Sequence, residues 1–345
     1  MNNKNQSMDY ITQINSFLRP NTTEKELVLD LFAGCGGLSL GFEAAGYKTI
    51  GFEMDKVAAN TYTNNLGSNC HAVKLDLDFD YPQAEIIIGG PPCQPFSVGG
   101  YQKGIKDSRD GFPVFIDAVK KLQPKVFLFE NVRGLLYSNK WYFELIINEL
   151  HKLGYVIDFK LINAVNFGVP QNRERLFVIG HRTKFTFPKQ KVNKVSVLEA
   201  IGDLMYTTPP ESKFLTESMD KYISNYEIAS SCINPRDLYP NRPARTLTCR
   251  NLAGATGDMQ RIRLHDGRRR RILVREAARL QSFPDWFEFS GTETQQFYQI
   301  GNAVPPLLAY NLALALKDCY KMDEIFSIET VLDNKMIANK EFTLF

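Results

Sequence analysis

Short apolar runs alternate with amphipathic stretches from Leu27 onward. Residues 27–32, 48–52, 72–75, 85–88, 126–129, 155–163 and 176–180 read as strands buried on both faces, because their apolar character is nearly continuous. Residues 38–45, 56–64, 115–122 and 141–153 carry helical spacing instead. Repetition of strand, helix and strand predicts an α/β fold with a doubly wound, mostly parallel sheet. The last two strands lie close together in sequence, which predicts an antiparallel edge.

The pattern weakens on either side of this block. Residues 1–25 are polar and read as an N-terminal arm, loose or forming a short helix. Residues 183–271 are rich in Pro, Thr, Asn and Arg and read as a small, irregular second domain with short strand-like runs such as 246–249. Helical periodicity returns at 274–281 and at 306–317, where Pro305 and Pro306 stand at a tolerated helix start. Residues 321–345 form a weakly patterned tail.

Composition narrows the class without fixing it. At 345 residues and 44% hydrophobic content the chain can bury an ample core. No apolar run is long enough to span a membrane, which predicts a cytoplasmic protein. The six cysteines form no CxxC pair, so neither a zinc site nor a disulfide framework is expected. Net charge is only +3, but residues 231–275 hold eleven arginines against three aspartates, and eleven minus three gives +8. Either this is a solvated face or it is a surface for a polyanion, with nucleic acid the leading partner.

Candidate chemistry begins at the sequence GGPPCQPFS, residues 89–97, directly after a strand. Open α/β sheets bind substrates at the carboxyl ends of their strands, and flanking prolines hold Cys93 in a stiff turn. Cys93 is thus a candidate nucleophile, although a free cysteine is also often a small buried residue. A second glycine-rich turn, DLFAGCGG at 30–37, leaves backbone N–H groups free at a helix start. Glu53 ends the second strand and has the chemistry to accept from both hydroxyls of a ribose, while Asp76 follows the third and has the chemistry to accept from an adenine amino group. Together these point to a nucleoside pocket.

With PPCQ and the glycine turn, ENV at 130–132, QNRER at 171–175, REAARLQSFP at 275–284 and GNAVPP at 301–306, the chain resembles the DNA cytosine-5 methyltransferases of bacterial restriction-modification systems. The resemblance runs in order from about residue 27 to residue 317. It implies S-adenosylmethionine as methyl donor and S-adenosylhomocysteine as product. Phe32 would stack on adenine, Gly34, Gly36 and Gly37 would pass the methionine portion, and Glu53 and Asp76 would hold ribose and adenine. Met54, Leu77, Pro92, Asn302 and Ala303 would complete the pocket. The implied domains are a catalytic and cofactor-binding unit at 26–182, a target-recognition domain at 183–271, and helices at 272–320 that fold back onto the first.

The same resemblance implies the chemistry. Cys93 would add to carbon 6 of a flipped-out cytosine, since that base is unreachable inside a stacked duplex. Glu130 would manage a proton at ring N3, unless Glu130-Asn131 is merely a cap. Arg173 and Arg175 alternate and are expected to face one cleft, favouring the Cys93 thiolate and holding the base and a phosphate, unless they form a surface ion pair. Residues 97–111 are expected to be a lid, with Gln94, Ser97 and Arg109 near the DNA. The segment after Asp107-Ser108-Arg109 departs from the family by inserting Gly111-Phe112-Pro113, with Pro113 a candidate helix start. Arg245, Arg250, Asn251 and Arg261 are expected to contact DNA. A monomer without metal is expected, paired genetically with a cognate restriction endonuclease. Two alternatives remain at this stage: a methyltransferase of RNA cytosine, and a catalytically silent DNA-binding protein.

Overall fold

The computed structural model describes residues 9–93, 110–190, 193–229, 231, 236–254 and 258–320. Its first helix, α1 (Tyr10–Phe17), is capped by Asp9 and docked rather than loose. The Tyr10 hydroxyl donates to the Arg279 carbonyl at 2.8 Å, and Asn15 accepts from the Asp285 amide at 2.7 Å.

The alternation that follows is β1 (Leu27–Leu31), α2 (Gly37–Ala44), β2 (Lys48–Glu53), α3 (Lys56–Asn65), β3 (Cys70–Ala72), β4 (Ile86–Gly89), α4 (Phe112–Leu122), β5 (Val126–Val132), α5 (Lys140–Lys152), β6 (Val156–Asn163), β7 (Gln171–Asn172) and β8 (Glu174–His181). Pro113 occupies the first turn of α4, where its missing N–H costs nothing. Seven of these strands form one sheet in the order β3-β2-β1-β4-β5-β8-β6. All pairs from β3 to β5 are parallel, and β8 runs antiparallel to both β5 and β6. The reversed strand is therefore one place in from the edge, because the short β6–β8 connection cannot make a parallel crossover.

Alternating side chains of each strand feed two apolar layers. Val28, Ile86, Ile88, Leu128 and Ile179 face one cluster, and Leu29, Leu31, Ile87, Phe127 and Phe129 face the other. Each layer covers one face of the sheet, which is what continuous apolar strands require.

The later elements are α6 (Val197–Met205), α7 (Glu217–Ala229), β9 (Ala244–Arg245), α8 (Cys249–Ala253), β10 (Arg261–Arg263), β11 (Arg269–Arg271), α9 (Val274–Leu280), α10 (Glu293–Asn302) and α11 (Pro306–Tyr320). Three helices, α6, α7 and α8, thus occupy a region read from sequence as irregular. The run 246–249 is no strand: Thr248 caps α8 through a reciprocal hydrogen-bond pair with Asn251. Helix α11 returns to α2, where a Cβ at Gly41 would collide with Ala309 and the Tyr310 backbone. The polypeptide closes on itself at that contact.

Candidate active site

Strand order reverses at β1, which has β2 on one side and β4 on the other. Such a switch point opens a crevice at the carboxyl ends of the strands. Here it widens into a cavity of about 870 Å³, lined on one side by residues after β1 and on the other by Gly90, Pro91, Pro92 and Cys93 after β4.

The half toward β1 and β2 has the form of a nucleoside cradle. Phe32 and Gly34 both adopt positive φ, 62° and 56°, so the chain turns sharply away from β1. A Cβ at Gly34 would meet nothing within 4 Å, so the turn faces open space. Glu53 is fixed by two backbone amides, from Gly34 at 2.9 Å and from Asp55 at 2.8 Å. Phe32, Gly34, Gly37, Glu53, Met54, Pro92, Asn302 and Ala303 all border the cavity. Gly36 lies behind it, with φ 88° and its Cα against Tyr62. These features fit an adenosyl ligand with a polar tail. Asp76 and Leu77 do not border the cavity, because β3 ends at Ala72; Val73, Lys74 and Leu75 line it instead.

The other half holds the candidate chemistry. Glu130 and Asn131 lie within β5 rather than after it. Asn131 Nδ2 donates to the Pro91 carbonyl at 2.9 Å, joining that strand to the cysteine turn. Arg175 Nε lies 2.8 Å from Glu130 Oε1, and both side chains are nearly buried. Burial pushes the Glu130 carboxyl up, while Arg175 and then Arg173 oppose the shift, so the proton-bearing form is favoured relative to an exposed glutamate.

Arg173 is 1% exposed and donates to the Leu247 carbonyl at 2.6 Å and the Gly301 carbonyl at 3.1 Å, leaving its Nε buried without a partner. Both arginines border the cavity while Glu174 pairs outward with Arg133 at 3.0 Å. They do not lower the Cys93 pKa. Burial pushes that thiol up to about 11, with Asp110 adding to the effect, so the expected activation by the arginine pair is absent.

Sequence reasoning missed part of the wall. Asp110, Gly111 and Val114 from the start of α4, and Thr294, Gln295, Tyr298 and Gln299 from α10, all line the cavity. Thr292 with Gln295 forms a capping box that announces α10, a signal readable in the sequence. Gln94, Ser97 and Arg109, with all but the last two residues of the expected lid, lie outside the described residues, as does the tail at 321–345.

The arginine-rich window corrects a second expectation. Arg261 is 1% exposed and pairs with Asp237 at 2.6 Å and Glu227 at 2.8 Å, so it cannot reach DNA. Arg269 shares both acids, and Arg270 makes a fully buried pair with Glu276 at 2.6 Å. The local charge looked uncompensated because Asp220, Glu227 and Glu276 lie beyond the counted window. Asn251 is spent on the α8 cap and on the Thr246 carbonyl, at 2.8 Å. Arg245 and Arg250 are exposed, the latter paired with Asp258 at 2.6 Å.

Among the described residues no cluster of three His, Cys, Asp or Glu is arranged to hold a metal, and no helix is long and apolar enough to cross a membrane.

Comparison with known proteins agrees with this geometry. The family model described as C-5 cytosine-specific DNA methylase matches residues 27–318. Type II methyltransferase M.AplI of Arthrospira platensis is 58% identical over 294 residues, covering 84% of this chain and 85% of that protein. Type II methyltransferase M.FnuDI of Fusobacterium nucleatum is 35% identical over 325 residues, covering 84% of this chain and 94% of that protein. Among solved structures, the Entamoeba histolytica methyltransferase EhMeth shares the fold, with a TM-score of 0.67 at 20% identity over 87% of this chain and all of that one. A cysteine turn beside a nucleoside cradle at the switch point, in a chain matched from residue 27 to residue 318, places this protein in the C-5 cytosine-specific DNA methylase family, as a DNA cytosine-5 methyltransferase.

Proposed function

We propose that the chain methylates carbon 5 of a cytosine flipped out of duplex DNA, through a covalent adduct with Cys93. The observation that carries this reading is the convergence of Cys93, Glu130, Arg173 and Arg175 on the cavity that also holds Phe32, Gly34 and Glu53. Base and cofactor thereby share one chamber.

Glu53, preset by the Gly34 and Asp55 amides, keeps lone pairs for ribose hydroxyls. S-adenosylmethionine, when bound, supplies an electrophilic methyl group. The Cys93 thiol loses its proton to solvent as its sulfur adds to carbon 6 of the ring, and Glu130 delivers its own proton toward N3 as negative charge builds there. Carbon 5 then gains the electron density that makes it a nucleophile. Once carbon 5 carries the methyl group its proton passes to solvent, the carbon 6–sulfur bond breaks to return the Cys93 thiolate, and Glu130 recovers the N3 proton. Arg175 holds the Glu130 carboxyl in place and neutralises it in the alternate protonation state.

A raised thiol pKa fits this sequence of events. Cys93 stays protonated until the base arrives, which protects it from adventitious oxidation. We further propose that residues 183–271 read the DNA sequence, with Arg245 and Arg250 among the contacts, and that the protein acts as a cytoplasmic monomer. The Type II names of its relatives support a cognate restriction endonuclease as its genetic partner.

Cytosine-conversion sequencing of genomic DNA from a methylation-free bacterial host expressing the protein tests the proposal. Protected cytosines within one short motif, lost in Cys93→Ala, are expected. Protection that persists in Cys93→Ala would remove the nucleophile assignment, and no protection at all would remove the DNA substrate.

A further inference from the structure

Asp30, next to last in β1, borders the floor of the cofactor cavity, yet its carboxyl points inward. Ser39 Oγ lies 2.7 Å from Asp30 Oδ2, Tyr62 Oη lies 3.0 Å from Ser39 Oγ, Thr49 Oγ1 lies 2.5 Å from Tyr62 Oη, and Glu43 Oε1 lies 2.6 Å from Thr49 Oγ1. A continuous chain of oxygens thus joins two carboxyl groups through the core. All five residues are at most 2% exposed, so water does not complete their hydrogen bonds.

Counting hydrogens gives the result. Each hydroxyl has one hydrogen to donate, so Ser39, Tyr62 and Thr49 supply three for four contacts. Oxygens this close repel unless a hydrogen lies between them. The fourth hydrogen must come from a carboxyl. At least one of Glu43 and Asp30 is therefore protonated.

We propose that Asp30 and Glu43 share this one proton through Ser39, Tyr62 and Thr49, and that its position sets the charge of the pocket floor so that a cationic methyl donor is favoured over its neutral demethylated product. With the proton on Glu43, the donations run from Glu43 to Thr49, Tyr62, Ser39 and Asp30, and Asp30 is the anion. Moving each hydrogen one link along reverses every bond, leaving Asp30 neutral and Glu43 the anion. No proton enters or leaves the protein, and Glu43 acts as a positioning residue through Asp30. The inference rests on S-adenosylmethionine being the occupant of the cavity.

The surroundings favour sharing. Asp30 faces Glu53 from β2, the thiols of Cys35 and Cys70, and the Tyr62 phenol, with the Ser39 backbone amide also acting on it. Glu43 faces Thr49, Tyr62, the Ser68 hydroxyl and the Gly67 amide at 2.8 Å. No cation acts on either group among the described residues. Burial raises both carboxyls, Asp30 to about 7, so each is stabilised by carrying the proton.

Calorimetric titration of the intact protein with S-adenosylmethionine and with S-adenosylhomocysteine tests this. In Glu43→Gln the amide donates to Thr49 permanently and locks Asp30 as the anion. The cationic ligand should gain affinity while the neutral ligand is little changed, because a fixed charge acts on a charged ligand and not on a neutral one. Asp30→Asn should move the ratio of the two dissociation constants the opposite way. Equal weakening of both ligands in both variants would overturn the inference and leave the chain a structural feature. If Glu43→Gln does not fold, Thr49→Val breaks one link, and the selectivity should then depend on pH where the wild type does not; a flat profile would again overturn it. Failure of the wild type to bind either ligand would instead refute the cofactor reading.

Discussion

The side-chain amide of Asn131 lies 2.9 Å from the carbonyl of Pro91, so β5 and the turn after β4 are one rigid piece. Adjacent parallel strands alone would leave that turn free to swing. The bond fixes the distance from Cys93 to Glu130 before any base arrives.

Asn131→Ala should therefore affect chemistry more than ligand capture. Loss of one buried hydrogen bond costs about 1 kcal/mol of stability, whereas misplacing a nucleophile by about 1 Å costs on the order of a hundredfold in rate. Single-turnover methylation with saturating DNA and methyl donor should show the rate loss, with methyl-donor affinity nearly unchanged.

Cys93 should alkylate slowly in the absence of DNA. With its pKa near 11, the thiolate fraction at neutral pH is small and grows about tenfold per pH unit below that value. Iodoacetamide labelling followed by peptide mass spectrometry across alkaline pH, with Cys93→Ala as control, measures it. A plateau already reached near neutral pH would contradict the desolvated environment of the thiol.

Arg261 and Arg245 should separate stability from binding. Arg261→Ala leaves Asp237 and Glu227 short of a buried partner and should cost about 3 kcal/mol in urea unfolding. Arg245→Ala should leave stability intact and lower the salt-dependence slope of DNA binding by about one, as loss of one phosphate contact does. Exchanged effects would mean the exposed and buried roles are assigned the wrong way round.

Gly41→Val should loosen the α2–α11 contact. The added side chain has no room against Ala309 and the Tyr310 backbone, and overpacking of this kind costs about 1–3 kcal/mol. Thermal unfolding should register the loss, and methyl-donor affinity should fall with it, since Ala303 and Val304 lead directly into α11.

The contrast between legible and illegible parts follows from the range of the interactions involved. The strands of the sheet were readable because burial on both faces leaves a local, continuous apolar signature, as in Ile86, Ile87 and Ile88. Glu53 was readable as the residue at which such a run stops, and Cys93 as part of the glycine-proline turn that follows one. Arg261 was misread because its partners, Glu227 and Asp237, are set by the docking of α7 on β10. Asp76 lies beyond the end of β3, which stops at Ala72, because the apolar run continues past the paired residues. Helix α7 gave little signal because only Ile223 of its residues is buried. Pairings between distant segments leave no periodicity to read.

Asn302, Ala303 and Val304 stand against the turn after β1, with the Val304 carbonyl touching the space a side chain at Gly37 would need. Residues 32–37 and residues 302–304, distant in sequence, must therefore meet before the pocket exists. A chain still emerging from the ribosome carries its thiol, glutamate and arginines without the means to retain a methyl donor. A product that ends before residues 302–304 lacks that wall of the pocket and should not bind the methyl donor.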